Sequence, residues 1–283
     1  MKHYKPTSPS RRHMTGIEFR KVITASEPLK ALTFGRKRHV GRNNYGRLTT
    51  RHKGGGHKRL FREVDFSYNK IDVPAKLISV EYDPNRTAFI GLAQYADGEK
   101  RYVIIPKSMS VGDTFLVSEN AELKVGNRVP LKKIGVGTFV YNVELKPGNG
   151  GKLGRAGGNF VQVIANDSGF THLKLPSTEV RKVMDTCYAC IGEVSNNENK
   201  LINIGKAGRS RWLGIRPTVR GTAQNPVDHP YGGGEQRQGR GLKRAKTRWG
   251  KQVGKGQKSR TPKKYSNNLI VSRRRVGKNK GEK

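Results

Sequence analysis

Cysteine is almost missing from this chain. Its 283 residues hold two, Cys187 and Cys190. Two neighbouring thiols cannot build the disulfide framework of a small secreted domain, so a reducing compartment is the default. Negative charge is also scarce: 21 Asp and Glu stand against 57 Lys and Arg, a formal net charge of +36. An ordinary soluble enzyme does not tolerate that self-repulsion without a polyanionic partner. Long apolar runs are absent too. None approaches the ~18 residues of a transmembrane helix, and residues 1–10 lead into no apolar stretch of the kind a secretory signal carries. No basic amphipathic helix suggests a membrane-surface anchor. Nucleic acid is left as the leading partner.

The excess charge is unevenly placed. Residues 1–60 carry sixteen Lys and Arg against two acids, and residues 201–283 carry twenty-three against three. Residues 61–200 are nearly balanced, eighteen against sixteen. The middle is long enough to bury a sound core. The ends, rich in Gly, Lys, Arg, Asn and Ser, are expected to order only against a partner. The expected division is a basic arm over 1–60, a first β domain over 61–125, a second over 126–200, and an extended basic, Gly-rich segment over 201–283.

The middle is mainly β in pattern. Alternation and turn residues predict strands at 75–82, 89–93, 102–105 and 114–117, with turns at Asp83-Pro84-Asn85 and Ala96-Asp97-Gly98-Glu99. A second set is predicted at 139–145, 160–165, 171–175, 179–184 and 187–194. Many short strands with regular turns suit two small barrels better than one. Helix is expected only as a short turn over 198–206, and a brief periodic stretch lies at 17–23.

The candidate sites sit in the arms. Arg51, Lys53, His57, Lys58, Arg59, Lys206, Arg209, Arg211, Arg216 and Arg220 occupy Gly-rich stretches with few compensating acids, which favours RNA contact over a merely solvated charged face. Gly54 and Gly55, with Gly232, Gly233 and Gly234, suit close approach of backbone to RNA. These triplets do not match the G-x-x-x-x-G-K-[ST] nucleotide loop. Trp212 and Trp249 could stack on bases, and Trp212 could equally anchor the arm on the second barrel. His229, beside Asp228 in a Gly-rich loop, is the one candidate for proton transfer. A role for Asp228 and His229 in holding RNA or the loop outweighs catalysis, because a general base needs an orienting partner and a substrate pocket. Cys187 and Cys190 have C-x-x-C spacing without the second ligand pair zinc needs. Alternation sends them to opposite faces of a strand. No metal or cofactor is expected.

Several segments resemble one family: Arg-His-Lys-Gly-Gly-Gly-His-Lys-Arg at 51–59, Glu-Tyr-Asp-Pro-Asn-Arg at 81–86, Gly-Glu-Lys-Arg-Tyr at 98–102, Lys-Ala-Gly-Arg-Ser-Arg-Trp at 206–212, Arg-Pro-Thr-Val-Arg-Gly at 216–221 and Asn-Pro-Val-Asp-His-Pro-Tyr-Gly-Gly-Gly-Glu at 225–235. Together they are similar to the second universal protein of the large ribosomal subunit, in its bacterial or organellar form. The resemblance implies an OB-fold barrel followed by an SH3-like barrel, with extended basic N- and C-terminal arms. It implies a structural, non-enzymatic rRNA binder that supports subunit association, tRNA binding and the RNA around the peptidyl-transferase centre. Its partners would be large-subunit rRNA, other ribosomal proteins, the small subunit and nearby tRNA. No transit peptide is evident, which favours a cytoplasmic ribosome over an organellar one. The chain departs from the family pattern at Tyr231, where a second His is usual, at Gln236, in the strongly basic segment 237–251, and at Cys190, where Thr is expected. An RNA-processing enzyme would want clustered carboxylates or a His pair for metal, and the acids here are scattered through turns. A DNA-compacting protein would share the arms but has no need of paired barrels.

Overall fold

The computed structural model describes residues 1–235, 241–254 and 260–274. The expectations for Gln236, for 237–240 and for the ends of the polybasic tail, Arg275 included, lie outside those residues. The protein is mainly β. Strands β1 (Ala75–Glu81), β2 (Ile90–Tyr95), β3 (Lys100–Ile104) and β4 (Thr114–Phe115) form an antiparallel sheet in the order β3-β2-β1-β4. A second antiparallel sheet has seven strands: β5 (Arg128–Pro130), β6 (Phe139–Tyr141), β7 (Val161–Asp167), β8 (Phe170–Lys174), β9 (Val180–Met184), β10 (Tyr188–Ile191) and β11 (Ile270–Ser272). Their order is β11-β9-β8-β7-β6-β10-β5. Two sheets in succession are what an OB-fold barrel followed by an SH3-like barrel would supply.

Alternation explains the first sheet. In β1, Ala75 and Leu77 face in while Lys76 and Ile78 face out. A bulge between Leu77 and Ser79 then shifts the phase, so that Ser79, Val80 and Glu81 are all buried. The β2–β3 turn is closed by the Gly98 amide donating to the Tyr95 carbonyl at 2.9 Å.

The second sheet feeds two cores. Val140 of β6 joins the cluster of Val129, Leu131, Val161, Val163 and Leu173, while the next residue, Tyr141, joins that of Leu77, Phe89, Tyr95, Ile104 and Phe115. On β10, Ala189 and Ile191 enter the former and Cys190 the latter. Opposite faces were expected for the two thiols, and each is buried in a different core, Cys187 with Val129 and Cys190 with Tyr141. Burial, with the Glu144 charge nearby, pushes the Cys187 thiol up to about 12.

One charge pair lies between these cores. Arg128 and Glu144 are both buried, 2.8 Å apart. The Arg128 guanidinium also donates to the Asn142 carbonyl at 2.9 Å and to the Cys190 sulfur at 3.6 Å, and lies 4.9 Å from the centre of the Tyr68 ring. The other Glu144 oxygen accepts from the amides of Tyr188 at 3.2 Å and Gly148 at 3.3 Å.

The arms are more structured than composition suggests. Thr33–Gly35 pairs antiparallel with Leu60–Arg62. Leu29 and Leu32 pack on Ile90, Leu92 and Tyr102, and the Leu29 amide donates to the Tyr102 hydroxyl at 2.8 Å. Ile17 and Ile23 pack against the first core. From the tail, β11 adds to β9 as the sheet's last strand. Short apolar stretches of both ends thus lie on the β core, Ile17, Ile23, Leu29 and Leu32 from one and β11 from the other, while Tyr45, Val227 and Trp249 among others stay exposed. The expected short turn of helix is a 3-10 turn at Asn197–Leu201, and two short α-helices that were not expected lie at Pro9–Arg12 and Ala207–Trp212. Contacts gather the chain into two units, one of Met1–Lys37, Lys58–Lys206 and Asn268–Lys283, the other of Arg38–His57 and Ala207–Asn267. Both sheets belong to the first.

Two outcomes test this packing. Arg128→Met alone strands the Glu144 carboxylate and should cost about 3–5 kcal/mol in urea unfolding, whereas Arg128→Met with Glu144→Gln should recover much of it. A single variant as stable as the parent would refute the assignment. Neither thiol should react with iodoacetamide at pH 8 until the protein unfolds; rapid labelling of the folded chain would show that the cores are open.

Candidate nucleic-acid interface

Two basic segments far apart in the chain lie side by side in the second unit. The Gly54 amide donates to the Gly214 carbonyl at 2.9 Å, His57 to Trp212 at 3.0 Å, and Arg216 to His52 at 3.0 Å. Lys53 and Ile215 form an antiparallel bridge between them. Glycine makes this approach possible. A Cβ on Gly56 would lie 2.7 Å from the Gly214 Cα and 2.9 Å from the Trp212 carbonyl oxygen, closer than any real Cβ sits. Gly54 and Gly55 both have positive φ, +125° and +66°. The triplet at 54–56 thus serves the chain's own backbone first.

The pairing gathers the predicted cations. Arg51, Lys53, His57, Arg211, Arg216 and Arg220 are exposed, and Arg209 is half-buried on the Ala207–Trp212 helix. The sequence of this unit holds 21 Lys and Arg against two acids, Asp228 and Glu235. Such a surface cannot be neutralised from within and attracts a polyanion. Trp249 is exposed, with the Arg51 and Arg248 guanidinium groups each 5.7 Å from its ring centre. Trp212 ends the helix half-exposed, its carbonyl accepting from His57.

The His229 loop folds on itself. The His229 Nδ1 accepts from the Tyr231 amide at 3.1 Å, and the two rings stack at 4.9 Å, tilted. A Cβ on Gly221 would lie 2.5 Å from His229 Cε1, so the imidazole packs on bare backbone. Asp228 and His229 both donate their amides to the Asn225 carbonyl. Gly232 leaves no room for a side chain, since its Cβ would meet the Asn225 oxygen at 2.2 Å, and Gly233 and Gly234 follow with positive φ. Among the described residues no carboxylate hydrogen-bonds the His229 ring, and no group of three or more His, Cys, Asp or Glu could hold a metal. Tyr231, the departure from the family pattern, has a structural role: its hydroxyl accepts from the Lys246 amide at 2.5 Å.

Three of the predicted residues lie elsewhere. Lys58, Arg59 and Lys206 belong to the first unit, where the Arg59 guanidinium donates to the Pro84 carbonyl at 2.7 Å. The same unit holds a feature composition did not single out. Arg155 and Arg86 flank the Phe66 ring, 4.4 and 5.3 Å from its centre. Arg86 is ion-paired with Asp83. Burial, and then the Arg86 charge, lower the Arg155 pKa, as befits a guanidinium short of counter-charge. Its signal in the sequence is Gly154-Arg155-Ala156-Gly157-Gly158, a Gly and Arg mixture like that of the arms but set in the neutral middle.

Comparison with protein-family models matches residues 29–117 to the RNA-binding N-terminal domain of ribosomal proteins L2. Residues 124–250 match the C-terminal domain of ribosomal proteins L2. The gap between the two matches falls between β4 and β5, where one sheet gives way to the other.

Tyr231→Phe should speed hydrogen exchange at the Lys246 amide and cost about 1 kcal/mol of local stability, while leaving the sheets unchanged. Unaltered exchange at Lys246 would exclude the tether.

Proposed function

The chain belongs to the family of ribosomal proteins L2, and from that premise we propose that it binds large-subunit rRNA, its second unit and the Arg86 and Arg155 pair of its first each offering a separate contact. As a family member it is a structural, RNA-binding component of the ribosome, with rRNA and other ribosomal components as partners. No helix among the described residues is long and apolar enough to cross a membrane. The observation that carries the proposal is the antiparallel pairing of 51–57 with 212–216, which joins Arg51, Lys53, His57, Arg211 and Arg216 into one acid-free strip. Phosphates along the strip displace their counterions to solvent, and this release supplies much of the affinity. Shape and 2′-hydroxyl contacts then fix the register on folded RNA.

Support for subunit association and tRNA binding follows from holding RNA near the peptidyl-transferase centre in one shape. In this reading peptide transfer gains only indirectly. His229 positions its loop, because the ring nitrogen that a base would use is occupied by the Tyr231 amide.

Three measurements test the proposal. The protein should stay with the large subunit through a wash in roughly molar salt, because threaded contacts exchange slowly; release at modest salt would overturn it. Changing Arg209, Arg211, Arg216 and Arg220 to Gln should flatten the dependence of log K on log salt by about 0.7–0.9 for each phosphate that the variant no longer neutralises. His229→Ala should slow assembly and leave the peptide-bond rate of assembled ribosomes within a few fold. A drop on the order of 100-fold or more would instead mark a general acid–base.

A further inference from the structure

The second unit contains two small hairpins of the same design, some two hundred residues apart in the chain. In the first, Arg42 bridges Leu48, the Asn43 amide donates to the Arg47 carbonyl at 3.0 Å, and the Gly46 amide donates to the Asn43 carbonyl at 3.0 Å. In the second, Lys246 bridges Gln252, the Thr247 amide donates to the Lys251 carbonyl at 2.8 Å, and the Gly250 amide donates to the Thr247 carbonyl at 3.0 Å. Each tip carries an aromatic residue followed by a left-handed glycine: Tyr45 before Gly46 at φ +76°, and Trp249 before Gly250 at φ +75°. Cations stand at matching places, Arg42 and Arg47 on one hairpin, Lys246 and Lys251 on the other. The tip residues Tyr45 and Trp249 are 82% and 69% exposed.

A single exposed aromatic needs no explanation. The same tip built twice, each time rigid, cation-flanked and topped by a ring, does. In the first hairpin the Asn43 side-chain oxygen also accepts from the amides of Tyr45 at 3.0 Å and Arg47 at 2.9 Å, which fixes the tip. The second is tethered at its base by the Val253 amide to the Ala245 carbonyl at 2.8 Å and by Arg244 to Gln252 at 3.2 Å.

We infer that Tyr45 and Trp249 are paired stacking fingers, each receiving the face of an unpaired RNA base while its flanking cations hold the adjoining phosphates. The inference rests on the RNA-binding reading above. An unpaired base is the fitting ligand because paired bases have both faces covered, whereas a splayed base needs a ring and its backbone needs positive charge. A protein partner would have to match cations at both tips with acids. A rigid tip also gives up little freedom on binding, so more of the stacking energy appears as affinity.

The test uses the full chain and purified large-subunit rRNA, at salt high enough to suppress non-specific binding. Tyr45→Ala and Trp249→Ala should each weaken binding by about fivefold or more. The salt dependence should not change, since every phosphate-facing cation is kept. Tyr45→Phe and Trp249→Phe should restore most of the affinity, and Val136→Ala, an exposed apolar control in the first unit, should have no effect. Because the chain has two tryptophans, Trp212→Phe leaves Trp249 as the sole reporter; its emission should become shielded from acrylamide when RNA binds. Alanine variants that bind within about twofold of the parent, with Trp249 still accessible, would overturn the fingers and leave the RNA reading standing. A parent chain that fails to bind the RNA at all would overturn both.

Discussion

The buried pair of Arg128 and Glu144 is the point on which the β core turns. Each sheet has an apolar face to cover, and β6 and β10 send alternate residues into both clusters. Between the clusters the backbone bends from β6 into the strand pair Val143–Glu144 and Gly151–Leu153, and polar groups are buried with it. Arg128 meets part of that need by reaching the Asn142 carbonyl and the Glu144 carboxylate, with the Tyr68 ring 4.9 Å away, while the Asn142 side-chain amide keeps no hydrogen-bond partner. A lysine could not do this, since a point charge lacks the planar fork that binds two acceptors at once. Such pairs add little net stability over an apolar alternative, but they do fix one arrangement.

The core and the second unit divide the labour by charge. The middle of the chain is near neutrality and folds by ordinary burial. The second unit has almost nothing apolar to bury, and is held instead by backbone hydrogen bonds across close-set glycines, as between 51–57 and 212–216. A backbone-to-backbone contact leaves the side chains free to point outward. Compactness and a dense cationic surface are therefore reached by the same device.

The β core was readable in the sequence because alternation is periodic. The first-sheet strands lie within a few residues of their predicted places, and the phase slip at Ile78 is the bulge that alternation alone does not reveal. Three-residue strands such as Thr33–Gly35 and Ile270–Ser272 are too short for any period to show. The one signal for the latter is Leu269-Ile270-Val271, an apolar run in an otherwise polar tail. The cationic residues proposed to meet RNA were visible as composition, but the pairing of their segments was not, because irregular segments carry no register. Arg155 is hidden in composition because its neighbourhood is balanced overall, and only the geometry around Phe66 separates it from a solvated charge.

The strand β11 has a consequence for the order of events during synthesis. Its partner β9 ends at Met184, and β11 begins at Ile270. At about 5–20 residues per second, roughly 4–17 s pass between translation of the two. During that interval the edge of β9 is open, a template for pairing with another chain. Arg181 and Lys182 sit in the middle of that edge, and like charges meeting across two such strands repel. The nascent protein thus carries its own guard against self-association until its closing strand arrives.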